Sequence, residues 1–247
     1  MSDIILGDCL EKMKDIPDNS IDMILTDLPY GVTARNKWDV IIPIDKLWEQ
    51  WNRIKKETTP IVLTSMQPFS SLLVNSNLKD FKYEIIWNKK LVTGHLNAKK
   101  QVLRQHEQIV IFYSKQCTYN PQRVKGNPTH SRGIPKEKDS LNYGKEVHTN
   151  NINDLKYPTS ILEIQKVQSG KCVHPTEKPV ELFEYLIKTY SNEGDMVLDC
   201  CAGSGTTAIA CINTNRNYIC IEKEQKYYDI MKDRIESQTT LKEEGEA

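Results

Sequence analysis

The chain alternates short apolar runs with segments whose apolar residues recur at helical spacing. Residues 44–56 are an example, with apolar side chains at positions 44, 47, 48, 51 and 54, the pattern of a helix with one buried face. Strands alternating with helices of this length predict a parallel sheet with helices on both faces. The predicted strands are 4–6, 21–25, 61–63, 83–87, 108–113, 196–198 and 218–221, and the predicted helices are 9–15, 44–56, 68–74, 178–190, 206–212 and 224–236.

The alternation stops between about Ser114 and Ser160, where proline and glycine are frequent and apolar runs are few. A segment this long without periodic structure is unusual inside a compact domain and is commonly functional. We therefore divide the chain into residues 1–113, an inserted segment 114–160, residues 161–238 and a frayed, acidic tail 239–247.

The composition indicates a globular protein. The chain has 247 residues, of which 38% are hydrophobic and 27% charged, enough for one large domain with a full core. No apolar run approaches the ~18 residues of a membrane span, and the first residues do not resemble a signal peptide. Seven cysteines, with one adjacent pair and no Cys-x-x-Cys motif, favour reduced thiols in a cytoplasmic protein and predict no metal site.

Charge is balanced overall but not locally. The chain has 33 basic and 33 acidic residues, yet residues 89–138 carry eleven basic and two acidic side chains, a net charge of +9. A basic segment in a neutral chain is typical of contact with a polyanion. On charge alone, a solvated loop explains the segment equally well.

A glycine-rich turn follows the predicted strand 196–198. Gly203-x-Gly205-x-x-Ala208 matches the fingerprint of a nucleotide-binding strand–turn–helix. Glu222 ends the next predicted strand, where a carboxylate can accept hydrogen bonds from ribose hydroxyls. The pattern predicts a ribose-bearing cofactor. Asp199 before the glycines suits a cationic ligand better than the pyrophosphate of NAD, and the late position in the chain also disfavours NAD.

A second polar turn, Asp27-Leu28-Pro29-Tyr30, directly follows the predicted strand 21–25. The carboxyl ends of strands line the ligand crevice of an open α/β sheet, and Pro29 restrains the backbone around Leu28. A carboxylate, a rigid carbonyl and an aromatic ring on one turn can accept two hydrogen bonds from an amino group and stack a planar base. The tetrapeptide alone is also compatible with a plain turn.

Together, the two turns resemble the motifs of the DNA amino-methyltransferases. Asp-Leu-Pro-Tyr is similar to their Asp-Pro-Pro-Tyr motif, and residues 199–207 are similar to their S-adenosylmethionine loop. The order, with the catalytic turn before the cofactor loop, is that of the beta group, in which target recognition falls between the two. Two positions depart from the family pattern: Leu28 replaces a proline and Cys201 replaces a phenylalanine. Further similar segments are 7–9, 16–20, 106–107 and 174–179.

The resemblance implies a Rossmann-like, doubly wound, mostly parallel sheet with an inserted target-recognition segment. It also implies that a base flipped out of duplex DNA stacks on Tyr30. Asp27 and the Leu28 carbonyl, held by Pro29, would accept hydrogen bonds from its exocyclic amine and aim the nitrogen at the methyl group. The residues that the resemblance assigns to S-adenosylmethionine are Asp8, Thr176, Lys178, Asp199, Cys201, Gly203, Ser204, Gly205, Thr206, Thr207 and Glu222.

By family resemblance, aspartate at the head of the catalytic turn favours adenine-N6 as the target, with cytosine-N4 as the alternative. Methylation of RNA or of a protein amide, and a DNA-binding module without catalysis, also stay open. A homodimer and a cognate restriction endonuclease on a separate chain are further expectations. We interpret His106-Glu107 as a structural pair at a strand start. The candidates for contact with DNA phosphates are Lys89, Lys90, Lys99, Lys100, Arg104, Arg123, Lys125 and Arg132.

Overall fold

The computed structural model describes residues 2–32, 39–126, 138–140, 144–146, 154–168 and 177–246. The chain forms two compact units, Met1–Asn120 with Ser160–Ala247, and Pro121–Thr159. The smaller unit falls inside the segment 114–160 expected to recognise the target, and that role stays a prediction. Within the described residues, no helix is both long enough and apolar enough to span a membrane.

The secondary structure follows the predicted alternation of strands and helices. The strands are β1 (Asp3–Leu6), β2 (Met23–Thr26), β3 (Ile61–Ser65), β4 (Phe81–Thr93), β5 (Arg104–Phe112), β6 (Val124–Lys125), β7 (Lys138–Ser140), β8 (Gly144–Glu146), β9 (Leu155–Lys156), β10 (Ile161–Glu163), β11 (Met196–Asp199) and β12 (Asn217–Glu222). The helices are α1 (Cys9–Lys12), α2 (Ile44–Ile54), α3 (Phe69–Ser76), α4 (Val180–Tyr190), α5 (Thr206–Asn213) and α6 (Gln225–Glu246), and two short 3-10 helices are Met13–Asp15 and His95–Asn97.

The larger unit is built on an eight-stranded sheet with the order β1-β12-β11-β2-β3-β5-β4-β10. Its pairs are parallel except those of β5, which runs antiparallel to both β3 and β4. The predicted mostly parallel, doubly wound sheet is therefore confirmed. Since β2, β11 and β12 are parallel neighbours, the residues at their carboxyl ends meet at one edge. In the smaller unit, β6 pairs with β9 and β7 pairs with β8.

Two apolar layers cover the sheet, as the alternation of side chains along each strand requires. In β2, Met23 and Leu25 face one layer, whereas Ile24 faces the other. The first layer contains residues of α4, α5 and α6, and the second contains residues of α1, α2 and α3. Burial of each large apolar side chain contributes about 1.5–3 kcal/mol, so the two layers hold the crevice edge of the sheet rigidly.

Three elements differ from the sequence-based expectation. Strands β4 and β5 form a longer hairpin than predicted, because β4 continues to Thr93 and β5 begins at Arg104. Strand β10 was not predicted, and it adds to the edge of the sheet beside β4. The frayed tail is wrong for most of its length, since α6 continues to Glu246. In this part of α6, the Lys242 ammonium donates to the Ile212 carbonyl at 2.7 Å. A tertiary contact of this kind cannot be predicted from a polar sequence.

Candidate active site

A cleft of about 870 Å³ opens at the carboxyl edge of the sheet in the larger unit. Its volume lies in the ~300–1,000 Å³ range of small-molecule sites. Both polar turns line it, the first through residues 27–30 and the second through residues 199–204. The cleft is thus the place where the fold brings the two motifs together.

The Asp27 carboxylate is held by two side chains from other segments and by Tyr30 of its own turn. Lys178 donates to its Oδ2 at 2.6 Å, and the Tyr30 hydroxyl donates to its Oδ1 at 2.6 Å. The hydroxyl of Thr64, on β3, donates to the same Oδ1. The Tyr30 ring in turn stacks on Phe69 of α3, with centroids 5.3 Å apart. The catalytic turn is therefore braced on both its acid and its aromatic ring.

Behind Asp27 lies a buried chain of alternating charges. Lys178 also approaches Glu107 Oε2 at 3.6 Å, and Lys89 pairs with Glu107 Oε1 at 3.0 Å. Burial alone lowers the pKa of Lys178, but the carboxylates of Asp27 and Glu107 raise it above its usual value. Burial likewise raises the pKa of Glu107, but Lys178 and Lys89 bring it below its usual value. Lys178 and Glu107 are thus both held in their charged forms.

Burial also shifts the pKa of the Tyr30 hydroxyl. Burial and the neighbouring charge of Asp27 raise the pKa of Tyr30 well above its ordinary value. The phenol therefore stays protonated and keeps donating to Asp27. As a result, Tyr30 offers the cleft a neutral aromatic ring.

Backbone conformation and hydrogen bonds from backbone amides shape the glycine-rich turn. Gly205 has φ of +83° and a Cβ there would lie 2.5 Å from Met231 Cγ, so a side chain at this position is excluded by strain and by contact. The Gly203 amide donates to Glu222 Oε2 at 2.7 Å, and the Glu224 amide donates to Glu222 Oε1 at 2.7 Å. Burial raises the pKa of Glu222, while these two amides lower it. The turn thus presents a carboxylate on a rigid backbone frame.

Asp199 is buried beneath this turn. Its carboxylate accepts hydrogen bonds from the Thr26 hydroxyl at 2.8 Å, the Cys201 amide at 3.0 Å and the Thr207 hydroxyl. Burial raises the pKa of Asp199 to about 6, although these hydrogen bonds lower it. Asp199 therefore ties β2, the turn and α5 to one another, and the described hydrogen bonds of its side chain all go to protein groups.

Asp8 also lines the cleft, directly after β1. Its side chain accepts from the Leu10 amide at 3.0 Å as the N-cap of α1, and Lys223 lies 3.5 Å away. The structure thereby places an acid on each of two neighbouring strand ends, Asp8 after β1 and Glu222 at the end of β12.

The structure brings most of the predicted site residues together. Gly205 and Thr207 shape the turn without lining the cleft, and Thr176 and Arg132 lie outside the described residues. The predicted residues that line the cleft are Asp8, Asp27, Leu28, Pro29, Tyr30, Lys178, Asp199, Cys201, Gly203, Ser204, Thr206 and Glu222.

The basic candidates divide into two groups. Lys89 is buried and pairs with Glu107. This contradicts the prediction that its ammonium group contacts a DNA phosphate at the surface. Arg104 is exposed and also lines the cleft. The other exposed candidates are Lys90, Lys99, Lys100, Arg123 and Lys125.

Glu107 is the site residue that sequence reasoning missed, because it was interpreted only as part of a structural pair. It is near the start of β5, the antiparallel strand, so this end of β5 lies at the same edge as the carboxyl ends of the parallel strands. A charged residue directly before an apolar strand was the available signal. Its meaning depended on the direction of β5.

The chain is similar to known proteins in both sequence and fold. The family model N6_N4_Mtase, described as DNA methylase, matches residues 21–233. The Type II methyltransferase M.HinfI of Haemophilus influenzae is 30% identical, over 95% of this chain and 68% of that protein. The DNA adenine methyltransferase YhdJ of Escherichia coli (strain K12) is 29% identical, over 91% of this chain and 79% of that protein.

Solved structures share the fold. The M1.HpyAVI–SAM complex superposes with a TM-score of 0.64 at 23% identity, covering 95% of this chain and 100% of that one. The cytosine-N4-specific PvuII DNA methyltransferase superposes with a TM-score of 0.67 at 16% identity, covering 97% of this chain and 90% of that one. At these identities the likeness is one of architecture.

Proposed function

Because the chain belongs to the N6/N4 DNA methylase family, and so is a DNA methyltransferase that uses S-adenosylmethionine, we propose that its target is the N6 amino group of a flipped adenine in duplex DNA. The observation that carries the proposal is the braced Asp27 carboxylate, 2.6 Å from both Lys178 and Tyr30, in the cleft that also holds Glu222. Aspartate at the head of the turn supports adenine, as does the 29% identity to a relative named as a DNA adenine methyltransferase.

The cofactor end of the cleft suits the nucleoside part of S-adenosylmethionine. Each Glu222 oxygen accepts one backbone hydrogen bond, and a carboxylate oxygen has room for a second donor. Glu222 can therefore accept the ribose hydroxyls, with Asp8 near the adenine. The cofactor supplies an electrophilic methyl group on a sulfonium centre when it is bound. Residues 201–204 form the wall beside it, and Asp199 acts by holding that wall in place.

The base end suits an exocyclic amine. Asp27 Oδ1 already receives hydrogen bonds from Tyr30 and Thr64, whereas Oδ2 receives one from Lys178. One acceptor position thus remains on Oδ2, and the amine donates to it and to the Leu28 carbonyl. The Lys178 ammonium donates to Asp27 Oδ2, so the carboxylate faces the amine as a hydrogen-bond acceptor. The base is held by stacking on Tyr30, and catalysis rests on positioning and electrostatics.

The exposed basic residues support a nucleic-acid partner. Lys99 and Lys100 lie on the loop between β4 and β5, and Arg104 at the start of β5 lines the cleft. We assign phosphate contacts to the exposed residues and reassign Lys89 to the charge chain behind Asp27. The cytoplasmic location, a homodimer and a cognate endonuclease stay predictions, as do the cofactor contact of Thr176 and the phosphate contact of Arg132.

The decisive experiment is incubation of the protein with methyl-labelled S-adenosylmethionine and mixed-sequence duplex DNA, followed by nucleoside mass spectrometry. We expect labelled N6-methyl-2′-deoxyadenosine. Labelled N4-methyl-2′-deoxycytidine would overturn the assignment of the base and favour cytosine-N4, the second candidate, which the shared fold with the cytosine-N4-specific enzyme supports. Label in RNA or protein but not in DNA would contradict the proposed substrate. Asp45→Ala, an exposed position on α2, serves as the matched control for variants of Asp27.

A further inference from the structure

Three cysteines converge in the wall of the cleft. Cys9 begins α1, whereas Cys200 and Cys201 follow β11. Their sulfur atoms all lie within 4.8 Å of one another, although the two segments are some 190 positions apart in the chain. The cluster forms because β12 pairs with both β1 and β11, which brings the carboxyl ends of those two strands to the same edge.

The cluster is sheltered but has an entrance. Cys9 and Cys200 are buried, Cys201 is half-buried, and all three line the cleft. The Cys200 thiol donates to the Thr26 hydroxyl at 3.6 Å, and that hydroxyl donates to Asp199 at 2.8 Å. One thiol is therefore oriented by a second layer of hydrogen bonds, as ligands of metal ions commonly are.

The donor set selects a soft metal ion. Three thiols within 4.8 Å of one another offer ligands that Zn²⁺ and similar thiophilic ions prefer. Tetrahedral coordination at a Zn–S distance of about 2.3 Å places sulfur atoms about 3.8 Å apart, so the cluster needs only small side-chain rotations. Cys117 and Cys211 are also buried, but they do not belong to this cluster.

We propose that Cys9, Cys200 and Cys201 form a binding site for one thiophilic divalent ion of the Zn²⁺ class, with the fourth coordination position open to the cleft. Each cysteine that binds as a thiolate releases its proton to solvent, and no redox partner is needed. Sequence spacing alone predicted no metal site, because the ligands come from two separate segments.

The site shares its wall with the cofactor. Cys201 lies two positions before Gly203, and Cys9 follows Asp8, both of which line the same cleft. An ion at the cluster therefore excludes S-adenosylmethionine, or is excluded by it. This consequence depends on the use of that cofactor in this cleft, whereas binding of the ion does not.

The test is titration of the full chain with Cd²⁺, a spectroscopic substitute for Zn²⁺, followed by the ultraviolet thiolate-to-cadmium charge-transfer absorption. We expect one Cd²⁺ per chain and at least about tenfold weaker binding in Cys9→Ser, Cys200→Ser and Cys201→Ser, the order of loss seen when a metal site is impaired. Cys117→Ser and Cys211→Ser are the matched controls and should bind as the wild type does.

Circular dichroism and urea unfolding, neither of which depends on the cleft, establish that each variant is folded. Cys9→Ser and Cys200→Ser place serine at buried positions and can fail to fold. In that case Cys201→Ser decides the test, because Cys201 is half-buried. Absence of the absorption band, or equal Cd²⁺ affinity in Cys201→Ser and Cys117→Ser, would overturn the proposal. A normal Cd²⁺ site in a chain that methylates no adenine would leave the metal site standing and refute only the proposed base.

Discussion

The two ends of the cleft are held together by different kinds of interaction. At the base end, defined by Asp27, Lys178, Glu107 and Lys89, charged side chains from distant segments neutralise one another. At the cofactor end, defined by residues 199–205 and Glu222, backbone amides hold the acid and a left-handed glycine sets the turn. One end is built by tertiary pairing of charges and the other by local backbone geometry.

Because of this difference, substitutions at the two ends should cause two different kinds of functional defect. Removal of one charge from a buried chain leaves its partner uncompensated, so a change at the base end should disturb the whole set and slow the chemical step. A change of the Glu222 side chain removes an acceptor from the cofactor end without removing any charge around Asp27, so it should weaken binding and leave the geometry of transfer intact.

Asp27→Ala should have the largest effect. It removes the acceptor proposed for the target amine, and we expect kcat to fall by about a thousandfold or more, on the scale of a lost transition-state contact. S-adenosylmethionine affinity, measured by calorimetry, should change little because the cofactor end is untouched. Asp45→Ala should retain wild-type activity. An Asp27→Ala enzyme with more than a tenth of wild-type kcat would remove Asp27 from the catalytic role.

Glu107→Gln tests whether the charge chain positions Asp27. The amide keeps the size of the side chain but leaves Lys89 and Lys178 facing a neutral group, so Lys178 should no longer hold Asp27 in place. We expect kcat to fall by about a hundredfold, on the scale of a misplaced catalytic group, with an unchanged KM for S-adenosylmethionine. Glu84→Gln, an exposed position on the neighbouring strand, is the control. A rise in that KM with normal kcat would contradict the assignment.

Asp199→Asn tests the more deeply buried of the two acids of the cofactor end. Burial raises the pKa of Asp199 from 3.8 to about 6, so the folded state holds its proton more tightly than the unfolded state. The stability that this group contributes is present at low pH and is lost as pH rises through about 6. We therefore expect the wild type to lose about 2 kcal/mol relative to Asp199→Asn between pH 4 and pH 7.

Urea unfolding of both proteins at pH 4 and pH 7 measures that difference. Asp229→Asn, at an exposed position on α6, should show no comparable change with pH. A difference between wild type and Asp199→Asn that stays constant with pH would mean that Asp199 is not buried as a charged group.

Glu222→Ala should weaken the binding of S-adenosylmethionine and have a smaller effect on kcat at saturating cofactor. Loss of hydrogen bonds to a charged acceptor costs about 1.5–3 kcal/mol, which corresponds to at least about a tenfold rise in Kd. Calorimetry compares this variant with Glu236→Ala, an exposed position on α6. Equal cofactor affinity in the two variants would refute the proposed contact.

The smallest expected effect concerns the DNA surface. Substitution of both Lys99 and Lys100 by alanine should reduce the slope of log affinity for duplex DNA against log salt concentration by up to ~1.8, about 0.9 for each lost phosphate contact. Lys79 and Lys82 lie at the opposite end of β4, so their double alanine variant should keep the wild-type slope. Identical slopes in the two double variants would contradict the assignment of this loop to phosphates.

Much of this fold was predictable because the signals are local. Apolar periodicity located the main strands and helices, as residues 44–56 show against α2 at Ile44–Ile54, and the glycines of the cofactor turn reflect a backbone requirement at Gly205. The prediction of a frayed tail from residue 239 was wrong because the helix there depends on tertiary contacts rather than on a local signal. Residues 240–246 contain one large apolar residue, Leu241, and part of the support of this stretch is a contact from Lys242 to Ile212.

The two motifs, their order along the chain and the alternating α/β architecture can be predicted from the sequence, because each is encoded in neighbouring residues. Which charges face one another depends instead on the tertiary structure. The reversed direction of β5 carries Glu107 to the edge where Asp27 ends its strand, and the pairing of β12 with β1 and β11 brings Cys9 to Cys200 and Cys201. Contacts of this kind depend on strand order and direction, which no single segment of the chain specifies.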